Sequence, residues 1–273
     1  MPGRVAAAAR AGGRPVFIVG LEGFAQLPAL QPFPHLLVRL GAVGQILAAF
    51  REHGCTELVL IGGVQRPSLL DLRPDAEGVR VLARIGRAAF GGDDSLLRAV
   101  VRILHEEGFH VTGAQDVIAD VLAPEGVLTR VAPDSQALSD VAQGMAIARA
   151  LGAADVGQGV VVQQGMVLAV EAIEGTDAML DRCAGLARSG PGGVLVKVVK
   201  PGQDRRADLP TVGPETIRRA HAARVRGIAY EANGTLMAGR NECVATADAT
   251  GLFLLGFPPD SGARSRNTPG GPS

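Results

Sequence analysis

Short apolar runs and stretches of helical spacing take turns along the first part of the chain, and this alternation constrains the fold more than anything else in the sequence. Residues 14–21 (RPVFIVGL) and 57–61 (ELVLI) are continuous apolar runs, as expected of strands buried on both faces of a parallel sheet. Between them, 43–52 (VGQILAAFRE) repeats apolar residues three and four apart, and Gly54 follows as a stop. Further helices are expected over 77–89 and 95–107, then a strand over 110–113 (HVTG). Such alternation gives a Rossmann-like parallel sheet covered by helices.

The pattern changes beyond Ala132-Pro133-Asp134. A helix over 135–151 is followed by two apolar runs, 159–164 (GVVVQQ) and 166–171 (MVLAVE), joined through Gly165 as a hairpin. Thr176 is expected to cap a helix reaching about residue 186, with Asp177 in its first turn. The run 194–200 (VLVKVVK) reads as a strand, 214–224 as a helix with Pro214 at its start, and 227–230 and 252–256 as weaker strands. The expected organisation is therefore α/β: a Rossmann-like N-terminal domain over 1–132, a mixed α/β domain over 133–257, and a disordered tail over 258–273.

Charge and composition narrow the function classes. Twenty-seven basic residues balance 27 acidic ones, which argues against nucleic acid as a partner. A single Tyr and no Trp argue against base stacking. No apolar run is long enough to span a bilayer and the N-terminus lacks a signal-peptide core, so a cytoplasmic location is expected. Cys55, Cys183 and Cys243 stand far apart and read as reduced core residues. The only lysines are Lys197 and Lys200, three apart in one segment. A GC-rich genome explains the arginine bias, whereas a compact ammonium also suits a phosphate oxygen.

Four constellations could carry chemistry. The segment 197–213 (KVVKPGQDRRADLPTVG) places Lys197, Lys200, Gln203, Asp204, Arg205, Arg206 and Asp208 on or beside the end of an apolar strand. Basic groups offset the charge of a diphosphate, and Mg²⁺ takes oxygen ligands such as carboxylates. Thr211, Gly213 and the helix after them could present backbone N–H groups to a phosphate. The same run also reads as a solvated, self-paired loop. The segment 171–180 (EAIEGTDAML) holds Glu171, Glu174 and Asp177 around Gly175-Thr176, either as a joint metal site or as a capping turn with exposed acids. In 92–98 (GDDSLLR), Asp93 or Asp94 is suited to capping a helix. The glycines of 61–67 (IGGVQRP) match no phosphate-loop pattern. There is no GxSxG elbow and no HExxH, and the five histidines are scattered, so any metal site is oxygen-rich.

Taken together, GDDSLLR, DVGQGVVVQQGMVLAVEAIEGTDAML and KVVKPGQDRRADLPTVG resemble the LpxI-type UDP-2,3-diacylglucosamine diphosphatases of lipid A biosynthesis, along nearly the whole chain. The resemblance implies a two-domain, Mg²⁺-dependent homodimer. Its reaction cleaves the UDP-linked lipid to UMP and 2,3-diacylglucosamine 1-phosphate, by water attack on the uridine-side phosphorus. Carried onto this sequence, it gives Asp208 and Asp204 as metal ligands or base. Lys197, Lys200 and Arg206 would neutralise the diphosphate with Gln203 beside them. Glu171, Glu174, Gly175, Thr176, Asp177, Thr211, Gly213 and Asp94 would bind substrate or support the metal. A lipid substrate implies peripheral contact with the inner membrane. Two rivals remain: another UDP-sugar enzyme, which would release UDP, and a sensor that binds without turnover.

The family usually opens with an apolar strand and a GGGxLP loop before its first helix. Here Met1-Pro2 aligns with the end of that loop and residues 5–10 with the helix, so the first strand is expected to be missing and Met1 to be an internal residue.

Overall fold

The computed structural model describes residues 1–64, 72–86, 93–118 and 120–259, the side chains of residues 93 and 94 excepted. Residues 65–67 after the glycine pair, 87–89 of the expected helix, Asp94's side chain and most of the tail lie outside the described residues. The chain divides into two compact units: Met1–Val121 with Gly202–Leu209, and Leu122–Pro201 with Pro210–Ser273.

In the first unit, α1 (Pro2–Ala11) is followed by β1 (Ile18–Leu21), α2 (Leu27–Leu30), β2 (His35–Val38), α3 (Val43–Glu52) and β3 (Glu57–Leu58). Then come α4 (Ala76–Ile85), α5 (Asp93–Glu106), β4 (His110–Val111) and α6 (Ala114–Val117). The alternation does produce parallel pairing, β1 with β2 and β3 with β4, in two separate two-stranded sheets. Helix α3 occupies the expected residues because its apolar spacing puts Leu47 against Leu58 and Phe109.

The second unit holds β5 (Gly126–Val127), α7 (Ser135–Ala153), β6 (Gly159–Gln163), β7 (Met166–Val170), α8 (Gly175–Cys183) and β8 (Gly193–Lys197). It continues with β9 (Thr211–Val212), α9 (Pro214–Ala222), β10 (Val225–Glu231), β11 (Leu236–Met237), α10 (Arg240–Thr250) and β12 (Phe253–Phe257). Six strands form one sheet in the order β5-β12-β10-β8-β6-β7, and β8, β10 and β12 are mutually parallel. Strand β6 runs against both β7 and β8, so β7 points the same way as β8. The expected hairpin turns at Gln164-Gly165, both with positive φ (51° and 74°), the pair of left-handed residues a two-residue turn requires. The buried Asp140 carboxylate accepts both turn N–H groups, at 3.0 and 2.8 Å.

Every residue of β6 and β8 is buried, because helices cover both faces. Ala137, Val141 and Ala148 of α7 pack on Val160, Val162, Val194 and Val196. On the other face Met179 and Leu180 of α8, Ile217 of α9 and Cys243 of α10 pack on Val161, Leu195, Ile228 and Tyr230. Each Val, Leu, Ile or Met among them contributes about 1.5–3 kcal/mol when fully buried.

Strands β1, β3 and β4 are shorter than the runs that announce them, and two further differences bear on the polar edge of the second unit. Thr176 does not cap α8: the helix starts at Gly175 (φ 78°), which sets Thr176 inside the first turn and turns its hydroxyl to another partner. Strand β8 ends at Lys197 rather than Lys200, since Val198 bonds the backbone of Gln158 beyond the end of β8.

Candidate active site

Strand direction decides where polar groups gather. Strands β7, β8, β10 and β12 all end at one edge of the sheet, where β6 begins. Helices α8, α9 and α10 each leave that edge for the strand that follows, so their N-termini, with partial positive charge, lie there. In open α/β sheets this edge is where ligands bind.

One register row crosses the edge. The Glu171 N–H donates to the carbonyl of Gly159, Gly159 stands opposite Lys197, and Lys197 stands beside Tyr230. Lys197 is only 3% exposed. Its Nζ donates to Thr176 Oγ1 at 2.7 Å and, more weakly, to the Thr211 carbonyl at 3.4 Å. Thr176 Oγ1 in turn donates to Glu171 Oε1 at 2.7 Å. The other oxygen of Glu171 is buried without a hydrogen-bond partner among the described residues. A Cβ on Gly159 would stand 2.5 Å from that oxygen, so a larger residue there would push the carboxylate out of its present place. A buried ammonium is costly unless paired, and here the pairing runs through a hydroxyl.

Lys200 has a different solution. It is buried too, but its Nζ meets Asp155 Oδ1 directly at 3.0 Å. Glu231 closes β10, and its Oε2 accepts from the Val199 N–H at 3.4 Å. The outer acids of 171–180 turn elsewhere. Glu174 pairs with Arg182 at 2.7 Å, and Asp177 is exposed, 3.8 Å from Arg219. The Glu174 carboxyl is held below the usual range by its own backbone N–H and then by Arg182. Gly213 stands just before α9, its N–H donating to Thr216 Oγ1 at 3.4 Å.

The segment Gly202–Leu209 belongs to the first unit, and within it the two aspartates differ. Asp204 is gripped on both oxygens by Arg206, at 2.9 and 2.7 Å, and Arg206 is the main cause of its lowered pKa. Asp208 receives one bond on Oδ2, 2.6 Å from Nε2 of the buried Gln203. Asp204 and Arg206 also line a cleft of about 390 Å³ with Arg98, Arg102, His105 and His110, of which only Arg98 falls within a sequence motif. Arg98, Arg102 and His105 share one face of α5, a signal readable only as spacing.

Among the described residues no three His, Cys, Asp or Glu side chains converge as a metal cage. Mg²⁺ does not need one, since it is commonly held by one or two carboxylates with substrate phosphates and water. Asp208 fits that sparse donor set, whereas Asp204 has both oxygens engaged.

A second cleft of about 390 Å³ opens at the opposite edge, lined by Arg188, Gly190, His221, Arg224, Arg226 and Gly251 among others. Helices α9 and α10 end there. Arg226 pairs with Asp134 at 2.7 Å.

Residues 1–121 match the family model for the LpxI N-terminal domain, and residues 124–255 the model for the LpxI C-terminal domain. The chain is 42% identical over 265 residues to the UDP-2,3-diacylglucosamine pyrophosphatase LpxI of Caulobacter vibrioides (strain ATCC 19089 / CIP 103742 / CB 15), covering 95% of this chain and 94% of that one.

Proposed function

The chain belongs to the LpxI family, and on that premise we propose that it hydrolyses the diphosphate of UDP-2,3-diacylglucosamine to UMP and 2,3-diacylglucosamine 1-phosphate in lipid A biosynthesis. The kinship to the Caulobacter pyrophosphatase along nearly the whole chain carries this reading. The chemistry of the edge supports it. Lys197 and the N-termini of α8, α9 and α10 supply positive potential where a diphosphate needs it.

Asp208 is the carboxylate of the 202–209 segment left for chemistry: Gln203 orients it through one oxygen, and among the described residues no arginine neutralises it. Its role is to hold Mg²⁺ or to take the proton of the attacking water; Asp204 instead fixes Arg206. When bound, Mg²⁺ would offset charge on the phosphoryl oxygens, with Asp208 as its protein ligand. The water attacks the uridine-side phosphorus, and the lipid 1-phosphate leaves. No described helix is long and apolar enough to cross a membrane. We place the protein, as a homodimer, on the cytoplasmic side, drawing its lipid from the inner-membrane surface.

The test is product analysis with UDP-2,3-diacylglucosamine and Mg²⁺. Wild-type protein releases UMP, and Asp208→Ala lowers kcat by about 10²- to 10⁴-fold, the range for loss of a positioned acid–base group. Release of UDP would assign a transferase instead, and binding without turnover a sensor. Undiminished turnover in Asp208→Ala would remove that residue from the chemistry.

A further inference from the structure

We propose that Thr176 is a positioning residue: its hydroxyl, anchored by Glu171, aims the Lys197 ammonium at a phosphoryl oxygen of the substrate. The inference rests on the diphosphatase reading above.

The proton inventory permits only one arrangement. Lysine's ammonium donates and cannot accept, an ionised carboxylate accepts and cannot donate, and a threonine hydroxyl does one of each. Lys197 must therefore donate to Thr176 Oγ1, and the single hydroxyl proton must go to Glu171 Oε1, both at 2.7 Å. Neither contact has an alternative direction, so the hydroxyl fixes the cation relative to the anion. The remaining bond of Lys197, to the Thr211 carbonyl, is long at 3.4 Å. That leaves at least one N–H of a buried ammonium without an acceptor among the described residues, at the edge where the helix N-termini converge.

Comparison with Lys200 shows that a spacer is a choice of this site. Lys200 takes the direct solution, an ion pair with Asp155 at 3.0 Å. At Lys197 the sequence keeps the carboxylate one hydroxyl away and supplies two special residues to do so. Gly175 adopts a left-handed φ of 78°, which begins α8 early enough to put Thr176 in its first turn. Gly159 leaves open the volume that Glu171 Oε2 occupies. A direct pair would set a full negative charge against the ammonium, whereas a hydroxyl bridge holds it in place with that charge one bond further away, and its remaining N–H is left for an incoming anion. The bridge thus does what Thr176 was expected to do by touching substrate itself.

The experiment compares Thr176→Val, which keeps the shape and removes the bridge, with Thr176→Ser, which restores it. Lys197 and Lys200 are the only lysines, so protein labelled with ¹⁵N-lysine gives two side-chain ammonium signals, assigned with Lys200→Arg. A slowly exchanging Lys197 signal is expected in wild type and in Thr176→Ser, displaced by UMP, and lost in Thr176→Val. In parallel, Thr176→Val should lower kcat roughly ten- to hundredfold, as for one hydrogen bond to a charged group, and Thr176→Ser should stay within about threefold of wild type. Glu171→Gln, which withdraws the charge behind the bridge, should lower kcat about tenfold. Wild-type kcat in either Thr176→Val or Glu171→Gln overturns the proposal, as does a Thr176→Ser enzyme as slow as Thr176→Val. Should wild type release no UMP, the diphosphatase reading fails, while the lysine signals still decide whether Thr176 sets Lys197.

Discussion

The two edges of the six-stranded sheet are both rich in cations, yet the same kind of charge has opposite meaning at each. At the edge where β8 and β10 begin, Arg188, His221, Arg224 and Arg226 surround an open cleft into which α9 and α10 end. Helix C-termini carry partial negative charge, so basic residues there are already accounted for by the backbone. At the other edge, the ends of β7, β8 and β10 meet the N-termini of α8, α9 and α10, whose partial charge is positive, while of the unit's described helices only α7, on the opposite face of the sheet, ends there. Lys197 stands there buried, against the field of its own scaffold, with Glu171 held one hydroxyl away. A cation on the wrong end of a set of helices is an arrangement an anionic ligand explains. Basic content alone therefore does not distinguish the two edges; strand polarity does.

The largest effect expected from breaking this asymmetry is at Lys197. Lys197→Met keeps the aliphatic stem and removes the charge, and should lower kcat about 10²- to 10³-fold in the UMP-release assay. A loss below tenfold would place the lysine's importance in folding rather than catalysis.

A smaller effect, on stability alone, is expected at the opposite edge. Asp134 caps α7 through the Ala137 N–H at 2.7 Å, and its pKa is lowered first by Arg226 and then by that N–H. Because its folded pKa lies below the unfolded one, its contribution is complete above the ordinary carboxylate range of about 4 and is lost as pH falls through the depressed folded value. Asp134→Ala should thus lower Tm by a few degrees at neutral pH, with the gap from wild type closing in acid. A gap that stays constant with pH would mean that the charge is irrelevant. Least of all should change in Arg224→Gly. Arg224 holds a left-handed φ of 57°, and glycine relieves that strain while giving up a cation near a helix C-terminus. The two terms oppose each other, so stability should move by less than about 1 kcal/mol and turnover not at all. A marked drop in kcat would show that the basic cleft takes part in the reaction.

The sequence is most legible where a segment's own pattern decides its structure. Helix α3 has its expected bounds, and the hairpin of β6 and β7 turns where Gly165 marks it. Elements that depend on distant partners are hidden. Strands β9 and β11 are two residues each and exist through their pairing with one another. Helix α10 (RNECVATADAT) escapes a sequence reading because only Cys243 and Ala247 are buried along it, and because its N-cap, Gly239, is left-handed with no capping side chain. At the site, the lysine pair is visible as a composition anomaly, but the strand's end at Lys197 is what gives the two lysines different partners. Likewise Asp204 and Asp208 look equivalent in sequence. Arg206 folding back on Asp204, and Gln203 on Asp208, separates them.

The division of the chain also bears on how the protein is made. Gly202–Leu209 belongs to the first unit, although every other described residue of that unit lies before Leu122. A ribosome delivers Met1–Val121 long before it delivers that segment, so the first unit emerges incomplete and waits for a piece encoded within the second. Of the four strands that end at the edge bearing Lys197, β7 and β8 have been synthesised by then, whereas β10 and β12 have not. The last piece of the first unit, which carries both Asp204 and Asp208, thus arrives while the sheet that holds Lys197 is still being built. A nascent chain halted before Gly202 would carry neither aspartate.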